Sequence, residues 1–144
     1  MKTKIELISE ENVEETIIRC HKMTDEIQNI VSYIENEKKI IVYKRGTAYP
    51  LNINSIYYFE IVDQNAFVYC EKEIYESKMK LYEFEQEKEG TSFFRASKSL
   101  IINADKIDSI KPSLSGRFEV VLKNKEKLIV SRQYVRILKH MIGL

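Results

Sequence analysis

The side chains best suited to chemistry are few and scattered. His21 and His140 are the only histidines, and neither belongs to the H-x-x-x-H spacing that places two imidazoles on one helix face to hold a metal ion. Cys20 adjoins His21, but neighbours on an extended strand point to opposite faces, which argues against a nucleophile–base pair. Cys20 and Cys70 lack metal-ligand spacing and read as small core hydrophobes rather than a disulfide. The four glycines form neither a GxGxxG loop nor a GxxxxGK loop that could cradle a phosphate. Carboxylates are plentiful, yet runs such as EFEQEKE (83–89) have the pattern of a solvated helix face. No catalytic set, metal set or cofactor motif emerges, and the chain is read as a non-enzyme.

Two basic clusters offer different chemistry. Phe93-Phe94-Arg95-Ala96-Ser97-Lys98-Ser99 leaves a strand with two aromatics and ends in a short polar turn. Small hydroxyl residues on either side of Lys98 let such a turn approach a phosphate backbone while the long side chain reaches a groove. Ser131-Arg132-Gln133-Tyr134-Val135-Arg136 opens the last helix, where free backbone N–H groups favour an anion. Arginine and glutamine can also make paired contacts with guanine and adenine edges. Taken singly, each cluster equally fits an ordinary solvated turn or a capped surface helix. Charge is nevertheless polarised along the chain. Residues 1–90 hold 18 acidic and 12 basic side chains, a net of −6, whereas 91–144 hold 4 acidic and 11 basic, a net of +7. Such polarisation is a usual footprint of a surface that meets a polyanion, although charges also cluster by chance or for solubility alone.

The elements that must position these clusters are mostly short strands. KTKIELI (2–8) alternates apolar and polar, and residues 15–20 carry the β-branched Thr16, Ile17 and Ile18, so both are expected as strands. Thr24-Asp25 offers a helix N-cap. Ile27, Ile30, Val31 and Ile34 then make one apolar stripe on a helix over 24–37, packed on the preceding strands or on a partner chain. After Lys38-Lys39 the pattern changes to strands at 40–44, 47–51, 55–62 and 66–70. Turns fall at Arg45-Gly46 and Asp63-Gln64-Asn65, and Pro50 suggests a sheet edge. Ser77 is placed to cap a short helix that puts Leu81 and Phe84 on one side and stops at Gly90. Strands at 92–97, 99–103, 106–110, 117–122 and 127–131 follow, with Asn124 in the last turn. A final amphipathic helix, capped by Ser131, buries Val135, Leu138 and Ile142.

The expected fold is therefore mainly β with short helices, an α+β arrangement of short antiparallel sheets preceded by a small β-β-α segment. The boundary falls near residue 39, giving an appendage at 1–39 and a domain at 40–144. With 44% hydrophobic and 31% charged residues, the 144-residue chain has the balance of a soluble globular protein. It contains neither a run of roughly 18 apolar residues nor a signal peptide, so a reducing cytoplasm is the expected compartment and no membrane embedding is expected.

The order of motifs is more specific than any one of them. FFRASKSLIINADKIDSI followed by GRFEVVLKNKEKLIVSRQYVRILK resembles the LytTR domain of bacterial regulators, whose pattern runs F-x-R, Ser, a short apolar run, Asn, Ile, a strand pair and V-S-R-x-Y. The matching positions are Phe94, Arg95, Ser99, Ile101, Asn103, Ile107, Gly116, Leu122, Val130, Ser131, Arg132 and Tyr134, and IYYFE (56–60) resembles the family's first long strand. The similarity covers about residues 40–144. It implies short antiparallel strands in small stacked sheets, and contact with double-stranded DNA at promoter repeats through loops rather than a recognition helix. By the same resemblance, the contacts lie in the loop Asp63 to Ala66, in the turn Ser97, Lys98 and Ser99, and in Arg132, Gln133 and Arg136. Lys98 and Gln133 would meet base edges, and Ser99, Arg132 and Arg136 phosphates.

Two departures bear on sequence preference. Ala66 stands where some members carry a base-touching histidine, so that loop would act through Gln64 or Asn65, and Gln133 replaces a second basic residue. A receiver domain of more than 100 residues does not fit ahead of residue 40, so the chain resembles the stand-alone members. Some such members are paired with a small membrane protein that restrains them, so a small membrane-protein inhibitor is one expected partner, and self-association as a dimer on DNA through helix 24–37 is a second expectation. A LytTR-fold interaction module or antagonist that does not itself bind DNA is the alternative.

Overall fold

The computed structural model describes residues 1–35, 39–88 and 91–144. These fall into two compact units, Met1–Asn36 and Glu37–Leu144.

The first unit contains one helix, α1 (Asp25–Glu35). Thr24 caps it. Its hydroxyl accepts from the Ile27 N–H at 3.3 Å, and its carbonyl accepts from the Gln28 N–H at 2.9 Å. Along the apolar stripe Ile27 is buried, Ile30 and Val31 are half-buried, and Ile34 is exposed. The expected continuation to 37 lies outside the described residues. The two expected strands at 2–8 and 15–20 do not form a ladder. A turn at Ser9–Asn12, closed by the Asn12 N–H to the Ser9 carbonyl at 3.0 Å, joins these arms. A ladder continued from that turn would set Glu6 against Glu15 and Lys2 against Arg19, and like charges directly opposite disfavour pairing. Two strands alone are also marginal in water. Cys20, expected in a core, is exposed on the second arm.

The second unit is built on a seven-stranded antiparallel sheet. Its strands are β1 (Lys39–Lys44), β2 (Thr47–Asn52), β3 (Tyr58–Val62), β4 (Asn65–Tyr69), β5 (Ile74–Ser77), β6 (Phe93–Arg95) and β7 (Leu100–Asn103), in the order β2-β1-β5-β4-β3-β7-β6. A second sheet, of three strands, runs β10-β9-β8 with β8 (Ile107–Pro112), β9 (Phe118–Leu122) and β10 (Lys127–Val130). Pro50 sits on β2, at the sheet edge, where its missing N–H costs no ladder bond. Two helices complete the unit, α2 (Leu81–Glu87) and α3 (Val135–Ile142). No described helix is long and apolar enough to cross a membrane.

Three local expectations are corrected. Ser77 does not cap α2. It ends β5, whose IYES pairs along β4, and its hydroxyl accepts from the Met79 N–H at 3.1 Å, so α2 starts three residues later with Lys80 at the N-cap. Ser131 makes no side-chain cap bond either; a 3-10 turn (Arg132–Tyr134) intervenes before α3. The region 55–62 is shorter as a strand, because Asn52 accepts from the Asn54 N–H and folds Ile53–Ser55 into a 3-10 turn. Gly90, expected to stop α2, lies outside the described residues.

Alternation along the central strands divides the core in two. Phe59 and Ile101 point to one side, where Phe84 of α2 stacks on Phe59 at 4.5 Å between ring centroids and meets Phe93 edge-on at 5.3 Å. Tyr58, Leu100 and Ile102 point to the other, against Val120, Leu122 and Val130 of the second sheet and Leu138 of α3. All four residues of β7 are buried, so this strand is shared by both cores. It is the strand that leads directly out of the turn 97–99.

Candidate nucleic-acid interface

Three segments expected to act together are tied to one another by backbone hydrogen bonds. The Ile61 N–H of β3 donates to the Ser99 carbonyl at 2.9 Å, joining the end of β3 to the turn 97–99. The Ser131 N–H donates to the Ala96 carbonyl at 2.8 Å, joining that turn to the start of the last segment. The turn itself is closed by the Ala96 N–H to the Leu100 carbonyl at 2.8 Å and by the Ser99 N–H to the Ser97 hydroxyl at 3.2 Å.

The first loop is tighter than the sequence suggests. Val62 pairs with Asn65, leaving Asp63 and Gln64 as a two-residue turn, with φ of 50° and 69° at the two positions. Both are left-handed, the conformation that matches the twist of a hairpin, and Asp and similar short polar residues adopt it most readily. Asn65 belongs to β4, and its amide donates back to the Asp63 carbonyl at 3.2 Å. Gln64 and Asn65 are exposed, whereas Ala66 is buried in the core. This loop therefore presents amide side chains and no cation.

In the other two segments the expected side chains are free to act. Lys98, Arg132, Gln133 and Arg136 are exposed, and Ser97 and Ser99 are half-buried in the turn. Among the described residues, Lys98, Arg132 and Arg136 make no ion pair, so three positive charges on linked segments stand uncompensated.

A residue without an expected role organises this surface. Arg95 ends β6 and turns its guanidinium back on the loop. Nε donates to the Ser97 carbonyl, Nη2 donates to the Lys98 carbonyl at 2.6 Å, and Nη1 meets Glu85 Oε2 of α2 at 3.1 Å. The same group lies 5.9 Å from the centroid of the Tyr134 ring. One arginine thus fixes the turn that presents Lys98, anchors it to α2 and touches the segment that presents Arg132. The sequence signal was available: an arginine two residues before a turn, with an acidic helix upstream. Its partner Glu85 was hidden in a run that resembled a purely solvated face. Gly116 has a comparable role. Its φ of +75° suits glycine, and a Cβ there would fall 2.9 Å from Arg132 Cδ, so the glycine makes room for the arginine stem.

Residues 46–143 match the profile of the LytTr DNA-binding domain. The chain belongs to the LytTR family. A solved LytTr DNA-binding domain from Bacillus cereus is 25% identical, covers 75% of this chain and 99% of its own, and superimposes with a TM-score of 0.70. Among curated proteins, a chain named as an HTH-type transcriptional regulator in Staphylococcus aureus strain NCTC 8325 is 25% identical over 98% of this chain and 99% of its own. The sensory transduction protein LytT of Enterococcus faecalis is 30% identical over 62% of this chain and 37% of its own length. The similarity to the solved LytTR domain accords with the antiparallel architecture. Among the described residues no two helices are joined by a helix-turn-helix, since α2 and α3 are separated by five strands.

Proposed function

We propose that this LytTR chain is a sequence-specific DNA-binding transcription regulator of the bacterial cytoplasm that reads duplex DNA through loops. The observation that carries the reading is the set of three unpaired cations, Lys98, Arg132 and Arg136, on segments that backbone bonds hold together. In this reading Lys98 and Gln133 contact base edges, and Ser99, Arg132 and Arg136 contact phosphates. Gln64 and Asn65 supply the weaker third contact, since the buried Ala66 has nothing to offer a groove. Self-association through α1 belongs to the same reading, supported by the exposed Tyr33 and Ile34 on that helix.

Selection of bound duplexes from a random pool, followed by anisotropy titrations at several salt concentrations, tests the proposal. A motif should emerge, and log affinity should fall with log salt by about 0.9 for each phosphate contact. Arg132→Ala should weaken all duplexes alike, whereas Lys98→Ala should relax one position of the motif. If no duplex is enriched and both variants match the wild type, DNA reading is refuted and the fold serves as a protein-interaction module.

A further inference from the structure

The first unit leaves large apolar side chains uncovered. Ile5 is 85% exposed and Leu7 95%, and both lie on the arm 2–8. The backbone of this arm has no hydrogen-bond partner among the described residues, although its sequence alternates like a strand. An open strand edge with apolar side chains is a template for pairing with another chain.

Its neighbouring arm is a poor partner. One side of the space between the arms is lined by even-numbered side chains of the first and the other by odd-numbered side chains of the second. A ladder continued from the turn would set Glu6 against Glu15 and Lys2 against Arg19. The charges of the first arm suit a different strand: its own sequence, reversed. In an antiparallel pair centred on Ile5, Lys4 stands opposite Glu6 of the second copy, and Glu6 opposite Lys4 of the second copy. Within the chain Lys4 and Glu6 already share one face, their charged atoms 3.6 Å apart. The pair would thus carry a square of four alternating charges on that face. The other face would bring Ile5 against Ile5 of the second copy, with Thr3 and Leu7 opposed on either side.

We propose that residues 2–8 form a two-fold antiparallel strand pair with the same residues of a second copy of this chain. The pairing supplies the backbone partners that the arm lacks, covers Ile5 and Leu7, and sets opposite charges across from one another. It adds a contact to the self-association proposed above but is independent of α1 and of DNA.

Charge reversal on the full chain, read by sedimentation across a concentration series, tests it. The wild type should sediment as a dimer. K4E sets carboxylate against carboxylate at two symmetric sites, and E6K sets ammonium against ammonium at the same two sites. Each should weaken the dimer by roughly tenfold or more, given two cross-strand pairs changed in sign. The double variant K4E/E6K restores both pairs and should return the dimer to about wild-type strength. Mixing K4E with E6K should give mixed dimers in preference to either alone. A monomeric wild type overturns the proposal. Dimers indifferent to all three variants also overturn it, and if Tyr33→Asp then dissolves them, α1 carries the association. If reversal at Glu15 and Arg19 dissolves the dimer while reversal at Lys4 and Glu6 does not, the second arm is the interface and the proposal fails. Circular dichroism of each variant confirms that the second unit is intact.

Discussion

Among the basic side chains of the interface, Arg95 differs in kind from Lys98, Arg132 and Arg136, because its donors are already taken by the Ser97 and Lys98 carbonyls and by Glu85. A lysine at this position offers a point charge and cannot hold two carbonyls and a carboxylate with one planar fork. Arg95→Lys should therefore loosen the turn and lower affinity by about tenfold, roughly 1.4 kcal/mol, without changing the salt slope. Arg132→Ala should instead lower the slope by about 0.9, since a phosphate contact is lost. A salt series on the two variants separates a positioning residue from a contact residue; equal slopes for both would refute the distinction. Asn103 acts at the same scale but on stability. Its buried amide donates to the Ile56 carbonyl at 2.9 Å, while its side-chain oxygen accepts from the Ser92 hydroxyl at 2.7 Å and the Asp105 N–H at 3.1 Å. Asn103→Ala leaves those groups without partners in or near the core. Urea unfolding should show a loss of about 2–4 kcal/mol, more than one cut hydrogen bond would give.

Elements were legible where side-chain pattern and turn chemistry agreed. The strands β1 to β4 and β6 to β10 follow from runs such as IIVYK, AFVYC and KLIV, because a half-buried antiparallel sheet forces the alternation that the sequence displays. The arms at 2–8 and 15–20 alternate equally well yet form no ladder, since alternation reports a strand-like surface and says nothing about which edge will accept it. β5 was missed because IYES is short and its serine resembles a helix cap; pairing with β4 decides the matter. The segments proposed to contact DNA stand out by residue type and order, but the bonds that join them, from Ile61 to Ser99 and from Ser131 to Ala96, are contacts between distant residues that no local pattern encodes. Gly116 shows how one element can serve another. It lies in the turn between β8 and β9 but clears space for Arg132 after β10. Gly116→Ala adds the strain of a left-handed alanine, about 1–2 kcal/mol, and displaces the Arg132 stem. A double-mutant cycle should find its effect on DNA affinity largely absent when Arg132 is already alanine. Simple additivity would show that the two sites are not coupled.

At the scale of the whole molecule, the two sheets meet through a polar seam as well as a shared core. Tyr58 of the large sheet stacks on Tyr69 with centroids 4.1 Å apart, and the carboxylate of Glu126, in the turn between β9 and β10, acts on its phenol. Burial first, then Glu126 and other nearby negative charge, push the Tyr58 phenol upward, so it resists ionisation in base. Glu60, two residues along β3, is raised above the ordinary carboxylate value of 4.5, first by burial and then by Glu126. The consequence for stability has a definite sign. As pH rises past 4.5, the unfolded chain releases this proton while the folded chain retains it, so the fold loses stability until its own raised value is passed. Above that point the folded state carries a constant cost for a partly desolvated charge facing Glu126. Glu60→Gln keeps the shape and removes the charge. Its midpoint of thermal unfolding should exceed that of the wild type at about pH 7, and the difference should close at about pH 4, where Glu60 is largely protonated in either state. Calorimetry of both proteins at the two pH values checks this. A difference that persists in acid would mean that Glu60 acts through packing rather than charge, and the seam between the sheets would then be held by Tyr58 and the shared β7 core without the carboxylate.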